Sequence, residues 1–179
     1  IEMQGLIEEV LADLEPLAQE KNIELIQKTQ NSSDGRSDGT EESLLVACSV
    51  NNNEKPEDEL ILTGSDILIY RMLYNLVENA IKYNKDHGWV KVVLDADHQY
   101  FTFEVSDSGI GIPEESLAHI CERFYRVDKS HSREIGGTGL GLAITKSAVL
   151  MHKGSLTVTS TEGQGSCFLV KIPLMYIAS

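Results

Sequence analysis

The sequence predicts an α/β (α+β) two-layer sandwich, in which helices pack on one face of a mixed, mostly antiparallel sheet. Helical and strand-like stretches follow each other without the strict alternation that a parallel βαβ sheet requires. Two pairs of strand-like segments are each joined by a short polar turn, which is typical of antiparallel hairpins. The 179 residues, 41% of them hydrophobic, suit a single domain, 1–179, with a sizeable core.

The first half of the chain is predicted to hold two helices with strands and polar connectors between them. Apolar residues recur at steps of three and four from Met3 to Ala18, which predicts an amphipathic helix. A second helix begins after the cap sequence GSD and contains NLVENAIKYN. Strands are predicted at NIELIQ, LLVACSV and LILT, and the region at about 31–58 is predicted to be a flexible insertion because it opens with a Ser/Asp/Gly-rich run.

The second half is predicted to hold a hairpin, a glycine-headed helix and a last pair of strands. WVKVVLDA and YFTFEVSD alternate apolar and polar residues on either side of the short turn DHQ. A polar segment follows at about 112–136, and GTGLGLAITKSAVLMHKG then forms a helix that Gly154 closes. SLTVTST and SCFLVKIPL are joined by the turn EGQG.

Composition excludes several classes of partner. The formal net charge is −13, and a phosphate-rich polymer or an anionic lipid surface needs a basic face, so nucleic acid is not expected to bind. No apolar run reaches the roughly 18–20 residues that cross a bilayer, and no signal peptide opens the chain. The three cysteines lack metal-site spacing and are interpreted as reduced core thiols of a cytosolic protein, with a reactive thiol as the alternative.

A polar stripe runs along the otherwise apolar second helix. Arg71, Asn75, Glu78, Asn79 and Lys82 fall within about 100° of the helix circumference. One interpretation is a solvent-exposed edge with a Glu78–Lys82 pair, which contributes only a few tenths of a kcal/mol. The other is a cavity wall, since two asparagines one turn apart offer neutral oxygen ligands that suit Mg²⁺, with Lys82 within reach of phosphate.

An aspartate and two glycine-rich segments point to the same ligand. Asp107 shares the strand face of Phe103 and Val105, so its carboxylate is aimed at the core, where it suits the exocyclic amine of adenine and disfavours guanine. Ordinary Asp-Ser-Gly turn chemistry is the alternative. GGTGLGLAI begins a helix with alternating glycines, which is typical of a phosphate-binding terminus, although glycines of a flexible hinge have the same pattern. The intervening basic segment ERFYRVDKSHSRE is either a solvated loop or a lid over a triphosphate.

Taken in order, these segments resemble the ATP-binding catalytic domain of bacterial sensor histidine kinases, within the superfamily that includes gyrase, Hsp90-type chaperones and MutL. NLVENAIKYN resembles the N box, DSGIGI the G1 box, ERFYRVD the F box, GGTGLGLAI the G2 box and EGQGS a weaker final glycine turn. The likeness extends from about Leu60 to Leu174. It implies the Bergerat fold, with ATP and Mg²⁺ as cofactors and residues 112–136 as the ATP lid.

The resemblance also implies a role for each matched residue. The metal ligands are Asn79 and, beside it, Asn75, and the catalytic roles fall to Glu78, Asn75 and Arg126. The implied ATP contacts are Lys82 on phosphate, Tyr83 against adenine, Asp107 on its amine, Gly109, Gly111 and Ile112 around the base, Tyr125 and Arg126 from the lid, and Gly137, Thr138, Gly139, Leu140, Gly141 and Leu142 on the phosphates.

None of the five histidines has the His-Glu or His-Asp context of a phosphoacceptor. The chain is therefore expected to be a catalytic fragment that binds Mg-ATP but does not autophosphorylate alone. The resemblance implies an upstream dimerisation and histidine phosphoacceptor domain, a response-regulator receiver domain as partner, a monomeric fragment of a homodimer, and the cytoplasmic portion of a membrane-anchored sensor. Three alternatives are a serine kinase of the anti-sigma type, an ATP-driven conformational clamp, and a degenerate module that binds no nucleotide.

Overall fold

The computed structural model describes residues 2–31, 64–97, 99–127 and 136–174. Nine elements occur within these ranges. In chain order they are α1 (Met3–Glu20), β1 (Glu24–Asn31), α2 (Asp66–Lys82), β2 (Trp89–Ala96), β3 (Tyr100–Asp107), α3 (Glu114–Leu117), α4 (Gly141–Met151), β4 (Ser155–Thr161) and β5 (Gly165–Pro173). None of the helices in the described ranges is both long and apolar enough to span a membrane.

The five strands form one mixed sheet in the order β1-β2-β3-β5-β4. β1 pairs with β2 in parallel, and the other three pairings are antiparallel. Alternate residues of the central strands are buried, so that Leu94, Phe103 and Val170 lie side by side on one face. That face carries the core, because period-two alternation places every second side chain against the helices.

The long helices cover this face of the sheet. α2 is the central one and packs against α1 on one side and α4 on the other. The Ser65 hydroxyl caps α2 by accepting the Leu68 N–H at 3.5 Å. The backbone N–H of Ser65 also donates to Nε2 of His152, at the end of α4, at 3.1 Å. Because Ser65 at the start of α2 contacts the end of α4, and Asn75 in the middle of α2 contacts Gly141 at the start of α4, the two helices run antiparallel. The start of α4 therefore lies beside the second half of α2.

The predicted fold class is confirmed, and so are the helices and strands that fall within the described residues. β1 continues to Asn31, four residues beyond the predicted NIELIQ, because it pairs with β2 along its whole length. α4 begins at Gly141 rather than with the preceding glycines. The predicted strands LLVACSV and LILT, most of the predicted insertion at 31–58 and the lid residues 128–135 lie outside the described residues.

Candidate functional site

A cavity of about 480 Å³ opens between α2, the start of α4 and the sheet edge where β3 ends. Every site residue predicted from the sequence except Gly109 lines it. These are Asn75, Glu78, Asn79, Lys82, Tyr83, Asp107, Gly111, Ile112, Tyr125, Arg126, Gly137, Thr138, Gly139, Leu140, Gly141 and Leu142. The fold thus brings four separate stretches of sequence to one concave surface.

Asp107 ends β3 with its side chain turned toward the cavity. Its Oδ1 accepts the backbone N–H of Gly109 at 2.8 Å. Burial raises the pKa of Asp107 above its usual value, and hydrogen bonds from the backbone of Gly109 and Ser166 oppose that rise. A half-buried carboxylate held by two backbone donors is a preorganised acceptor for an amine that enters the cavity.

Gly109 shapes this end of the cavity without lining it. A Cβ at Gly109 would collide with the carbonyl oxygen of Tyr83 and would lie 2.7 Å from Oδ1 of Asp107. The carbonyl of Tyr83 accepts the N–H of Ile110 at 3.0 Å, so the turn after β3 is fastened to the end of α2. Only glycine allows this close approach of the two backbones.

The turn between β4 and β5 fixes the next stretch of the same loop. Ser160 Oγ accepts the backbone N–H of Ile112 at 2.8 Å. The carbonyl of Ile110 accepts the N–H of Gly163 at 2.7 Å. Gly111 has φ +69°, and a Cβ there would collide with the carbonyl oxygen of Thr161. Ile112 is thereby held against the apolar end of the cavity.

The polar stripe of α2 forms the opposite wall. Asn75 donates its Nδ2 to the carbonyl of Gly141 at 3.2 Å, which ties α2 to the first turn of α4 and leaves its amide oxygen for other partners. Asn79 makes no side-chain hydrogen bond with the described residues. Glu78 and Lys82 form the predicted ion pair at 2.9 Å, yet both also line the cavity. The edge and cavity interpretations of this stripe are therefore compatible.

The glycine-rich segment before α4 is a loop rather than a helical turn. Gly136, Gly137 and Gly139 have φ values of +74°, +125° and +72°, which a right-handed helix does not permit. A Cβ at Gly139 would lie 2.9 Å from Cα of Phe124, and the Gly139 carbonyl accepts the Phe124 N–H at 2.9 Å. α4 begins directly afterwards, so its N-terminal amides are directed at the cavity.

The described part of the lid packs on this loop and on α3. The Tyr125 hydroxyl donates to Oγ of the buried Ser116 at 3.0 Å. Arg126 donates through Nη2 to the carbonyl of Gly136 at 3.2 Å. Tyr125 and Arg126 both line the cavity, so the segment predicted to be a lid contributes an aromatic ring and a cation to it.

Several lining residues were not predicted as site residues from the sequence. They are Arg71, Ala80, Ile110, Ile120, Val127, Gly136, Ile144, Ser166 and Phe168. Arg71 was visible on the polar stripe, and Gly136 stands beside the predicted glycines. Ser166 and Phe168 reach the cavity because β5 pairs with β3 in a register that places Ser166 opposite Asp107 and Phe168 opposite Val105, and strand parity alone does not give that register.

The donor set fits magnesium bound together with phosphate rather than a protein-only metal cage. Within the described ranges, no cluster of three or more His, Cys, Asp or Glu side chains is arranged to hold a metal. Two asparagine amides one helical turn apart do line the cavity. Mg²⁺ characteristically takes one or two protein oxygens and completes its sphere with water and substrate phosphates.

Comparison with known proteins agrees with this geometry. The family model described as "Histidine kinase-, DNA gyrase B-, and HSP90-like ATPase" matches residues 64–175, more than half of the chain. Sensor histidine kinase RppB of Synechocystis sp. is 40% identical over 144 residues, covering 79% of this chain and 32% of that protein. The phosphate regulon sensor protein PhoR of Pseudomonas aeruginosa is 43% identical over 107 residues, covering 60% of this chain and 24% of PhoR.

Solved structures give the same result. The catalytic domain of histidine kinase ThkA superimposes with a TM-score of 0.71 at 25% sequence identity, covering 97% of this chain and 95% of that one. The chain spans only about a third or less of RppB and PhoR, which are whole sensor proteins. The resemblance inferred from the sequence boxes is confirmed: the chain belongs to the histidine kinase-, DNA gyrase B- and HSP90-like ATPase family and has the fold of a histidine kinase catalytic domain.

Proposed function

We propose that this domain binds Mg-ATP in the cavity and transfers the γ-phosphate to a histidine on a separate domain of a two-component sensor histidine kinase. One observation carries the proposal. A half-buried carboxylate, a pair of asparagine amides and a glycine loop at a helix N-terminus line the same cavity of about 480 Å³. An adenine amine, a magnesium ion and a phosphate chain need these three kinds of group.

Adenine occupies the end of the cavity formed by Asp107, Ile112 and Phe168. Its amine donates to the Asp107 carboxylate, whose other hydrogen bonds come from backbone N–H groups. Guanine presents a carbonyl at that position, which would face a carboxylate and lose a hydrogen bond in a desolvated site. Tyr83, at the end of α2, contacts the base from the rim.

The phosphates lie along α2 and the glycine loop. Residues Gly137 to Leu142 supply backbone amides and the positive end of α4. The amide oxygens of Asn79 and Asn75 would hold the Mg²⁺, whose charge would offset that of the phosphates. Lys82 faces the phosphates as a point charge, and Glu78, at 2.9 Å from its Nζ, keeps the ammonium in position.

Phosphoryl transfer in this site depends on positioning and charge compensation. Asn75 is oriented by its bond to the Gly141 carbonyl, so its oxygen is preorganised toward the phosphate end. Arg126 acts from the lid on the transferred group, and Tyr125 closes the cavity beside it. Glu78 has two roles in this proposal. It holds Lys82 in position through their ion pair, and it is the carboxylate on the α2 wall that is able to orient the imidazole of the incoming histidine.

The phosphoacceptor and the downstream partner are outside this chain. The sequence relatives are sensor histidine kinases, and the described residues hold no histidine in the cavity lining. We therefore assign an upstream dimerisation and phosphoacceptor domain and a response-regulator receiver domain as partners. Homodimerisation through that upstream domain, a monomeric catalytic fragment and a cytoplasmic position in a membrane-anchored sensor belong to the same proposal.

Binding and transfer are tested separately. Calorimetric titration of the chain with Mg-ATP is expected to show one site, and the absence of heat would refute the proposal and favour a degenerate module. Transfer is tested by adding the isolated dimerisation and histidine phosphoacceptor domain of a sensor kinase, in trans, with γ-labelled ATP. Asn79→Ala is expected to abolish labelling, whereas Gln19→Ala, which removes an exposed amide on α1, is expected to retain it.

The same experiment separates the alternative functions. Phosphohistidine is lost in acid, so an acid-stable product on the acceptor would indicate the serine kinase. A clamp requires hydrolysis, and clamp relatives use a glutamate where this chain has Asn75; a substantial steady-state ATPase rate would favour that alternative. Label on the isolated chain itself would contradict the expectation that it does not autophosphorylate alone.

A further inference from the structure

Arg71 is a cavity residue to which none of the sequence boxes assigns a role. It lies on α2 one turn before Asn75, on the same stripe as Asn79 and Lys82, and it lines the cavity. Its side chain is exposed to solvent. It forms no hydrogen bond or ion pair with the part of the chain that the structure describes. A guanidinium placed in this way is available to a ligand.

Helix geometry places Arg71 at the end of the cavity where the phosphates are proposed to lie. Tyr83 is twelve positions further along the chain, which corresponds to about 18 Å along a helix that rises about 1.5 Å per residue. Tyr83 is at the base end, because its carbonyl holds the turn that follows Asp107. Arg71 is beyond Asn75, which contacts Gly141, so the glycine loop and Arg71 are at the same end of the cavity.

The charges around Arg71 favour an anion. Among the described lining residues only Glu78 and Asp107 are carboxylates. Glu78 is paired with Lys82 at 2.9 Å, and Asp107 is at the base end. Among the described residues, Arg71 therefore contributes to the cavity a positive charge that no carboxylate pairs with, in a chain whose formal net charge is −13. The planar fork of an arginine matches two oxygens of one phosphate, which a lysine does not.

We propose that Arg71 binds the terminal phosphate of ATP and makes the site selective for ATP over ADP. The inference rests on the proposed nucleotide site and adds to it a residue that distinguishes substrate from product. An arginine that contacts only the γ-phosphate stabilises the triphosphate complex and has no partner in the diphosphate complex. Exchange of spent ADP for ATP is then favoured by the same residue.

The test is calorimetric titration of the chain with Mg-ATP and, separately, with Mg-ADP, in wild type, Arg71→Gln and Arg71→Lys. Arg71→Gln is expected to weaken ATP roughly tenfold to a hundredfold, the usual worth of a hydrogen bond to a charged group, and to leave ADP within about twofold. Arg71→Lys is expected to recover part of the ATP affinity. Lys146→Gln, which removes an exposed cation on α4 outside the cavity lining, is expected to change neither.

Each other outcome overturns the inference. Equal losses for ATP and ADP would place Arg71 on the inner phosphates or assign it a general electrostatic effect, and unchanged affinities would remove it from the nucleotide. A wild-type chain that binds neither nucleotide would refute the proposed function itself. Circular dichroism of each variant verifies folding, which substitution of this exposed side chain is not expected to disturb.

Discussion

Asp107→Asn separates the chemistry of the base pocket from its packing. Asparagine has the shape of aspartate, and its Oδ1 retains the acceptor for the Gly109 N–H, which is 2.8 Å away. The side-chain nitrogen then takes the place of the second carboxylate oxygen, which accepts hydrogen bonds. Because this nitrogen only donates, it faces another donor, either the Ser166 N–H or the adenine amine. A hydrogen bond to a charged group contributes about 1.5–3 kcal/mol, so ATP is expected to bind about tenfold to a hundredfold more weakly.

The same substitution is expected to leave folding largely intact. Burial raises the pKa of Asp107 in the folded protein, so folding disfavours the ionised form. That cost is absent below the pKa of the unfolded chain, grows as the pH rises toward the folded pKa, and is complete above it. Asparagine is not ionised and avoids the cost at neutral pH. Loss of the hydrogen bond from Ser166 offsets that gain, so a lower ATP affinity with a nearly unchanged Tm is the expected combination.

Calorimetry with Mg-ATP and Mg-GTP, together with thermal unfolding, tests this reasoning. The preference for ATP is expected to shrink in Asp107→Asn because the new amide nitrogen can donate to the guanine carbonyl. The affinity of the wild type for ATP is expected to fall as the pH is lowered and the Asp107 carboxylate takes up a proton. Because burial raises the pKa of Asp107, this fall is expected to begin at a higher pH than for an ordinary aspartate, whose pKa is about 3.9. Asp86→Asn, an exposed carboxylate outside the cavity lining, is the control. Unchanged ATP affinity in Asp107→Asn would refute the assignment.

Three further predictions concern the metal and the loop around the base. Asn79→Ala is expected to lower ATP affinity by about tenfold or more with Mg²⁺ present and to change it little in EDTA, as measured by calorimetry. Gly111→Ala is expected to lower the free energy of unfolding by at least about 1–2 kcal/mol and Tm by several degrees, because φ is +69° and a Cβ meets a backbone carbonyl. Gly163→Ala is the control and should lower the stability less, because its φ is +81° but the space around it is open. Ser160→Ala removes the acceptor of the Ile112 N–H and is expected to destabilise by about 1–3 kcal/mol in denaturant unfolding.

The sequence predicts the walls of the cavity well because each wall has a regular period. The stripe on α2 follows from helical spacing, and the inward direction of Asp107 follows from strand alternation. Both rules act over neighbouring residues and require no knowledge of the rest of the fold. The glycines before α4 also mark a close approach of backbones, although the pattern alone does not show that they form a loop with positive φ rather than the first helical turn.

Contacts that cross the sheet are the ones that local patterns do not reveal. Phe168 and Ser166 reach the cavity only because β5 inserts between β3 and β4, a strand order that no local spacing encodes. Gly109 was predicted to shape the base pocket, and the reason is non-local as well: the carbonyl of Tyr83 occupies the space that a side chain would need. These residues become visible once the register of the antiparallel strands is known.

The net charge of the chain and the charge of its cavity act at different ranges. A formal net charge of −13 opposes the approach of a triphosphate, but at physiological ionic strength charges are screened beyond about 8 Å. Around the cavity, the cations Arg71, Lys82 and Arg126 outnumber the carboxylates Glu78 and Asp107 among the described lining residues. Backbone amides at the start of α4 add further donors. Added salt weakens both the long-range repulsion by the net charge and the short-range attraction by the three cations. The affinity for ATP should therefore vary less with ionic strength than it would if only the three cations acted on the nucleotide. The arrangement of the nearby groups, rather than the total charge, therefore favours the binding of a nucleotide in this cavity.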